Sequence, residues 1–410
     1  MVDRNFSFER LLAPITPQDF LREYWEQKPL IVNRDRPLVY DSIMTFADLD
    51  DLLHIARESM IGLMLIVPPP GSGRAQSNFQ GKEISVAAAY QAFGIGDTLR
   101  LSSVHLLWPS IAALRAAICE ALDADVQVNA YVTPASAQGF SMHFDTHDAL
   151  ILQVDGSKDW YIYDRYIDAP IPTEANLSYT ATSLYEAVAG RENELDLLGQ
   201  IRLEKGDLLY LPRGFPHKAV ATAEASLHLT VGIHPVYWVD LLKASMETVC
   251  LQYADLRRAL PPGFISDPGI RSTMSQQFRE ILELASRNVD LDRTLDDLIS
   301  LRIRKQAYPP DGHFTQIMKV AELGIDSVVR RRRGLDCRLF EQENIRGIAF
   351  AKSEVRGPAQ VGLALRHICD HRRFRVRDLP GPLDDQSRLV LVRRLIREGL
   401  LQVEDGSPLA

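Results

Sequence analysis

The sequence predicts an α+β chain built on an antiparallel barrel or double-sheet jelly roll, with helices before and after it. Three observations carry that expectation. Between Gln127 and Val236, short apolar runs recur between turn signals such as Asp155-Gly156-Ser157, Gly206-Asp207 and Pro212-Arg213-Gly214, the density of an antiparallel barrel or jelly roll. Upstream, Thr16-Pro17 and Pro109 open segments whose apolar residues recur at helical spacing. From Val239 the pattern changes to long helical stripes.

Composition bounds the rest. A chain of 410 residues exceeds what one compact domain usually holds, so two or three are expected. A net charge of −8 argues against a protein that coats nucleic acid, although a local basic patch stays open. The four cysteines (Cys119, Cys250, Cys337, Cys369) are far apart and form no Cys-x-x-Cys pair. No disulfide framework or cysteine metal site is expected, and a reducing cytoplasm is the natural setting. The N-terminus lacks an apolar signal core, and no run of eighteen apolar residues exists, so no membrane span is expected.

In order, residues 1–95 read as a helical and strand region packed on the barrel. Thr16 caps a helix that carries Phe20, Tyr24 and Trp25. A strand begins near Lys28 to Val32, and Thr45 to Ala56 is a second helix. Ile61 to Val67 is an apolar run, and Pro68-Pro69-Pro70-Gly71-Ser72-Gly73 must be a loop. Ser85 to Phe93 is a helix. The barrel is placed at 96–238, with Thr98 to Leu106 as its first strand and a helix over Pro109 to Leu122. Further strands are expected near 127–133, 148–154, 158–164, 200–204, 207–212, 217–222 and 226–234. An insertion over 165–199 holds a helix at Ser183 to Ala189. Residues 239–350 are a helical region, with helices at Asp240 to Leu260, Ser272 to Asn288 and Leu291 to Arg304. Arg330-Arg331-Arg332-Arg333 is expected as a solvated face. Residues 351–410 run helix (Ala359 to Asp370), turn, helix (Asp384 to Glu398) and short strand, the order of a winged-helix-like module.

The chemistry concentrates in two stretches. Gln138-Gly139-Phe140-Ser141-Met142-His143-Phe144-Asp145-Thr146-His147-Asp148 leads into an apolar strand, a glycine turn and Lys158. Gly206-Asp207-Leu208-Leu209-Tyr210-Leu211-Pro212-Arg213-Gly214-Phe215-Pro216-His217 follows later. In an extended chain alternate side chains share a face, so His143 and Asp145 can reach one ion. A distant histidine, His217, would complete a two-histidine, one-carboxylate set, which leaves open positions and suits non-haem iron(II). His147 shares the same face and could be the third ligand, a substrate contact or simply exposed. Lys158 could be a solvated turn lysine. Buried in its apolar run, however, it would require an anionic partner. Asn129 and Tyr131 share one face of the preceding strand, and His228 and Thr230 one face of the last. Either of the latter pair could touch co-substrate or substrate, and a satisfied core histidine is the plainer reading of His228.

From about Leu99 to Pro235 the chain resembles the JmjC-type, cupin-like 2-oxoglutarate oxygenases, and within them the ribosomal oxygenases. The matching residues are Asn129-Ala-Tyr-Val-Thr-Pro134, Gln138-Gly139, His143-Phe-Asp145, Leu152 to Trp160 and Gly206 to His217. Phe20 to Leu30 resembles the N-terminal region of the same family. The resemblance implies a double-stranded β-helix (jelly-roll or cupin) barrel. It implies Fe(II) on His143, Asp145 and His217, and 2-oxoglutarate with its distal carboxylate on Lys158. By the same resemblance Asn129 contacts the co-substrate and Tyr131 lies toward the substrate; beside them, Thr230 is expected at the co-substrate and His147 and His228 on the substrate side. It also implies a helical dimerisation region, hence a homodimer, and a structural or interaction role for the last module, so that direct nucleic-acid binding is not expected. The implied reaction is hydroxylation of a protein side chain, foremost an arginine or histidine of a ribosomal protein. The alternatives are another peptide, a small metabolite, N-methyl demethylation, or a non-catalytic cupin-like binding module.

Overall fold

The computed structural model describes residues 6–59, 63–78, 85–171, 188–308 and 312–404. The chain forms two compact units, one running to Pro235 and one from Val236 onward. In the first, the described strands are β1 (Leu30–Val32), β2 (Leu63–Val67), β3 (Ser77–Asn78), β4 (Thr98–Ser102), β5 (Asp125–Thr133), β6 (Asp148–Asp155), β7 (Lys158–Tyr163), β8 (Leu197–Leu203), β9 (Leu208–Leu211), β10 (His217–Ala221) and β11 (Ser226–His234). They make two antiparallel sheets, ordered β1-β9-β6-β11-β5-β4-β2-β3 and β10-β7-β8.

Period-two alternation decides which face each residue takes. Val126, Val128, Ala130 and Val132 of β5 enter one core with Leu227, Leu229, Val231 and Ile233 of β11. Phe8, Phe20, Leu52, Ile111 and Leu114 from the helices complete it. Each such burial of a large apolar side chain contributes roughly 1.5–3 kcal/mol, so a one-residue slip of register is strongly disfavoured. The opposite face of the large sheet looks to the small one. There Ala149, Ile151, Leu209 and Leu211 meet Trp160, Ile162, Leu203 and Phe215. β6 and β9 are therefore buried on both faces, which is why Ala149 to Leu152 and Leu208 to Leu211 read as unbroken apolar runs.

The helices start where the caps place them. Thr16 Oγ1 accepts from the Asp19 amide at 3.1 Å, and Pro17 opens the helix Pro17–Glu23. The helix Pro109–Leu122 carries the buried stripe Ile111, Leu114 and Ile118. The first expected barrel strand is shorter than Thr98 to Leu106. Ser103 has φ 57, which ends β4, and a 3-10 turn follows over Val104–Leu106. The helix expected at Ser183 to Ala189 lies, but for its last two residues, outside the described residues.

In the second unit the helices are Trp238–Gln252, Pro268–Asn288 and Leu291–Lys305, among others. The first stops short of Leu260 because Tyr253 is extended and gives its hydroxyl to Asn288 Oδ1 at 2.6 Å. The second begins earlier than Ser272. Asp267 accepts from the amides of Gly269 and Ile270, and Pro268 occupies the first turn. Beyond them lie β12 (Val328–Arg331), β13 (Cys337–Gln342), β14 (Ile345–Phe350), β15 (Ser353–Pro358), β16 (Arg373–Arg375) and β17 (Leu401–Val403), in the sheets β16-β12-β17 and β13-β14-β15. Val329, Ile348, Phe350, Leu365, Ile368, Val392 and Leu395 share one core, which crosses the boundary expected at 350.

The arginine run is not a solvated face. Arg330 and Arg331 belong to β12, the central strand of its sheet, and Arg332 is 1% exposed. Arg330 lies 3.7 Å from Glu404, and Arg331 donates to the Cys369 carbonyl at 2.8 Å. Among the described residues no helix is long and apolar enough to cross a membrane.

The turn between β6 and β7 requires glycine. Gly156 has φ +60, and a Cβ there would sit 1.9 Å from the Ala225 carbonyl oxygen. Gly156→Ala is expected to cost about 3 kcal/mol, read as a lowered urea midpoint; an unchanged midpoint would show the turn to be adaptable.

Candidate metal centre and adjoining pocket

Two backbone hydrogen bonds put the candidate ligands side by side. The His143 amide donates to the His217 carbonyl at 3.1 Å, and the His217 amide donates to the His143 carbonyl at 2.8 Å. The segment around His143 forms only isolated bridges, to His217 and, from Gln138, to Val220. His143 Nδ1 lies 2.8 Å from the Ser141 carbonyl, and His217 Nδ1 lies 3.0 Å from the Phe215 carbonyl. A carbonyl oxygen only accepts, so these contacts assign the proton to Nδ1 and the lone pair to Nε2 of each ring. The two rings are 4.6 Å apart, and His217 Nε2 lies 3.9 Å from Asp145 Oδ2. One ligand atom from each of His143, Asp145 and His217 lies within 4.8 Å of the others.

The electrostatics suit a cation. Burial, with His217 adding to it, pushes His143 down to about 4, so the ring is neutral near pH 7 and able to ligate. Burial alone would raise Asp145, but His147, His143, His217 and Arg100 together hold its carboxyl below the usual carboxylate range. Two imidazoles and one carboxylate are a donor set for iron(II) with positions left open.

A pocket adjoins this triad, lined by Thr98, Tyr131, Phe140, Lys158, Trp160 and Thr230 among others. Lys158 opens β7 and is 3% exposed. Its Nζ donates to Thr133 Oγ1 at 2.7 Å, and Thr98 Oγ1 donates to the same oxygen at 3.2 Å. Burial pushes Lys158 down to about 7. Trp160 Nε1 and His228 Nδ1 are buried with no hydrogen-bond partner among the described residues, and both residues line the pocket. A buried amine and two orphaned polar nitrogens beside one pocket fit an anionic, oxygen-rich ligand.

A second polar cluster ties the two ligand segments together. Asp148, fully buried, receives the Tyr210 hydroxyl at 2.7 Å and Arg213 at 3.1 Å. Arg213 also meets Glu26 at 2.6 Å. Burial pushes the Asp148 carboxyl up, and Tyr210 and Arg213 offset this only in part. Asp148 stands three residues after Asp145, and Arg213 four before His217.

The remaining predicted site residues divide. Thr230 lines the pocket. Tyr131 stacks on His228 at 4.8 Å between ring centroids and 5° between planes, so His228 is held by stacking rather than as a hydrogen-bonded core histidine. Asn129 is not among the pocket's lining; its Oδ1 accepts from the Ser103 amide at 3.0 Å. His147 lies outside the triad, with its ring 4.8 Å from that of His234. Gly232 makes room for it, since a Cβ there would come within 2.6 Å of the imidazole. Sequence reasoning misses Thr133, Thr98 and Arg213. For Thr133 a signal exists, because it continues the Asn129-Tyr131 face at the same spacing of two.

This fold and donor set define a class, and comparison with known proteins agrees with it. Residues 105–241 match the JmjC domain family. Among curated proteins the similarity runs to ribosomal oxygenases. The chain is 32% identical over 279 residues to human "Ribosomal oxygenase 1", covering 66% of this chain and 42% of the relative. It is 26% identical over 449 residues to the "Bifunctional lysine-specific demethylase and histidyl-hydroxylase NO66" of Drosophila persimilis, covering 96% of this chain and 62% of the relative. The chain thus spans only part of the length of these curated relatives. In fold it resembles the Escherichia coli ribosomal oxygenase YcfD, solved with cobalt and 2-oxoglutarate. The TM-score is 0.55 at 19% identity, over 95% of this chain and 99% of the other.

Lys158 sets a stability test. Its amine is charged below about pH 10.5 in the unfolded chain, but in the fold only below about 7. Between those values the unfolded state holds one more proton, so this group's contribution rises with pH and is lost as pH falls, by about 1.4 kcal/mol per unit. Lys158→Met is therefore expected to stabilise the ligand-free protein near pH 7, with a gain that vanishes toward pH 10.5. Denaturant titrations across that range check it; a destabilised Met variant at every pH would contradict it.

Proposed function

We propose that this chain is an Fe(II)- and 2-oxoglutarate-dependent oxygenase that hydroxylates a protein side chain, foremost an arginine or histidine of a ribosomal protein. The observation that carries the reading is the His143, Asp145, His217 triad opening on the same pocket as the buried Lys158. The relatives' names, ribosomal oxygenase and histidyl-hydroxylase, point the same way.

His143 and His217 would hold the metal through Nε2, and Asp145 through its carboxylate. A divalent ion bound by two neutral rings and one carboxylate keeps a net positive charge, which favours a dicarboxylate beside it. Lys158 would take the far carboxylate of 2-oxoglutarate as a point charge, with Thr133 orienting the ammonium. Thr230 and Asn129 are the further co-substrate positions, Thr230 on the pocket wall and Asn129 two residues before Tyr131 on β5. Tyr131, His147 and His228 are assigned to the substrate side. Trp160, Ile151 and Phe140 exclude water from the pocket's walls. Bound iron and 2-oxoglutarate supply oxygen activation coupled to decarboxylation, giving succinate, carbon dioxide and one oxygen atom for a C–H bond. No group here needs to act as a strong general base.

The rest of the chain fits a protein that meets other macromolecules through apolar surface. Leu242, Leu251 and Phe278 are 60%, 75% and 61% exposed on the helices Trp238–Gln252 and Pro268–Asn288, which supports homodimerisation there. The β16-β12-β17 sheet with the helices Gly362–Asp370 and Asp385–Arg397 supports the winged-helix-like module. Several of its arginines are engaged internally. Arg373 pairs with Glu404 at 2.7 Å, and Arg393 donates to the Leu323 carbonyl at 3.1 Å. That favours an interaction or structural role over direct nucleic-acid binding.

Two measurements test the site. Succinate formation should require iron(II) and fall by about 100-fold or more in His143→Ala and Lys158→Ala. A ribosomal extract should stimulate it, with one ribosomal protein gaining the mass of an oxygen atom. Iron binding without 2-oxoglutarate consumption under any of these conditions would favour a binding module. Separately, binding of 2-oxoglutarate should take up a proton at about pH 8. Lys158, at about 7 when unliganded, must be charged to pair with a carboxylate. Affinity should then fall about tenfold per pH unit above that value. Calorimetry in buffers of different ionisation enthalpy reads the proton count, and a count near zero would remove Lys158 as the counter-charge.

A further inference from the structure

The four cysteines are distant in sequence, yet two of them meet in the second unit. Cys337 is the first residue of β13, and Cys369 lies in the last turn of the helix Gly362–Asp370. Their Sγ atoms are 3.3 Å apart. Arg331, the last residue of β12, faces both. Its Nη1 donates to Cys337 Sγ at 3.2 Å and to the Cys369 carbonyl at 2.8 Å. Both residues are partly exposed, and neither is disulfide-bonded.

We propose that Cys337 and Cys369 form a peroxide-sensitive dithiol that closes reversibly to a disulfide, with Cys337 as the attacking and Cys369 as the resolving thiol. The proposal is independent of the oxygenase reading. Its asymmetry comes from the surroundings. The thiolate is the reactive form, and both the Cys369 S–H and the Arg331 guanidinium stabilise negative charge on Cys337, holding its thiol below the usual range. Cys369 is pushed the other way. The adjoining Cys337 sulfur opposes a second negative charge there, the Cys369 sulfur is itself partly desolvated, and it sits at a helix C-terminus, where the carbonyl ends oppose an anion. Asp336 opposes ionisation of Cys337, and Asp370 that of Cys369; Arg331 favours both.

The chemistry balances with hydrogen peroxide as the oxidant. The Cys337 thiolate attacks one peroxide oxygen; the S–O bond forms, the O–O bond breaks, and hydroxide leaves to become water. Cys369 sulfur then attacks Cys337 sulfur; the S–S bond forms and the S–O bond breaks. The leaving hydroxide takes the Cys369 proton. Two thiols lose two electrons in all, and one peroxide becomes two waters. Because the sulfurs already touch, the second step is intramolecular and outruns further oxidation. The product ties the start of β13 to the end of the helix Gly362–Asp370, and so would stiffen this unit.

The test uses the full chain treated with hydrogen peroxide, quenched by alkylation and mapped by peptide mass spectrometry, with Cys250 as the internal control. Cys337 and Cys369 should leave the alkylatable pool about tenfold faster than Cys250, appear as one cross-linked peptide, and return with dithiothreitol. In Cys369→Ser, dimedone should trap a sulfenic acid on Cys337; in Cys337→Ser, Cys369 should react no faster than Cys250. Arg331→Gln should slow Cys337. Equal rates for Cys337 and Cys250, or oxidation without the cross-link, would overturn the proposal. The wild-type map decides this alone, whatever the variants' stability.

Discussion

The site depends on one reciprocal backbone pair. His143 and His217 exchange both amide hydrogen bonds, although the first lies in a loop after β5 and the second opens β10. Such a pair holds two side chains adjacent without a continuous strand around them. That freedom matters here, because the residues after His143 must leave the ladder to carry Asp145 toward His217. Asp148 and Arg213 then fasten the same two segments a few residues away. Asp148 is fully buried, so removing Arg213 would leave its carboxylate with only the Tyr210 hydroxyl, at about 3–5 kcal/mol.

Sheet alternation explains why this polar site can sit inside an apolar barrel. On β5, even-numbered residues from Val126 to Val132 close the core against the N-terminal helices, while Asn129, Tyr131 and Thr133 face the other way. β11 repeats the pattern, with His228 and Thr230 between leucine and valine neighbours. Each polar residue thus sits between residues that anchor the register. Moving the site by one position would require exposing the core, so the fold's stability and the site's geometry are one constraint.

Much of this is legible in the sequence, for reasons that differ by element. The barrel strands can be read because turn residues such as Gly156 and Gly206 punctuate them, and the helix Pro109–Leu122 because its stripe is complete. The pairing of His143 with His217 cannot come from spacing alone; it needs the combined motif. Thr133 escapes notice because a threonine in a strand is ordinary until a lysine from another strand points at it. The Asp148–Arg213 pair joins residues 65 positions apart, and nothing local marks either as buried. The arginine run misleads for the same reason. β12 looks solvated until β16 and β17, far later in the chain, close over both its edges.

Burial acts in opposite senses on the two sides of the pocket, and this is its functional content under the proposed reading. Desolvation drives His143 to its neutral form, which is the form that ligates, so the metal side is ready before anything binds. The same desolvation drives Lys158 toward neutrality, which is the form that cannot pair with a carboxylate. The anion must bring the proton's stabilisation with it. A pocket built this way discriminates by charge. A neutral ligand would leave the amine without a counter-charge and the orphaned Trp160 and His228 nitrogens without an ionic acceptor. A dicarboxylate satisfies the metal at one end and recharges Lys158 at the other. The instability that the buried lysine brings to the empty fold is thus the source of its preference for a doubly charged guest.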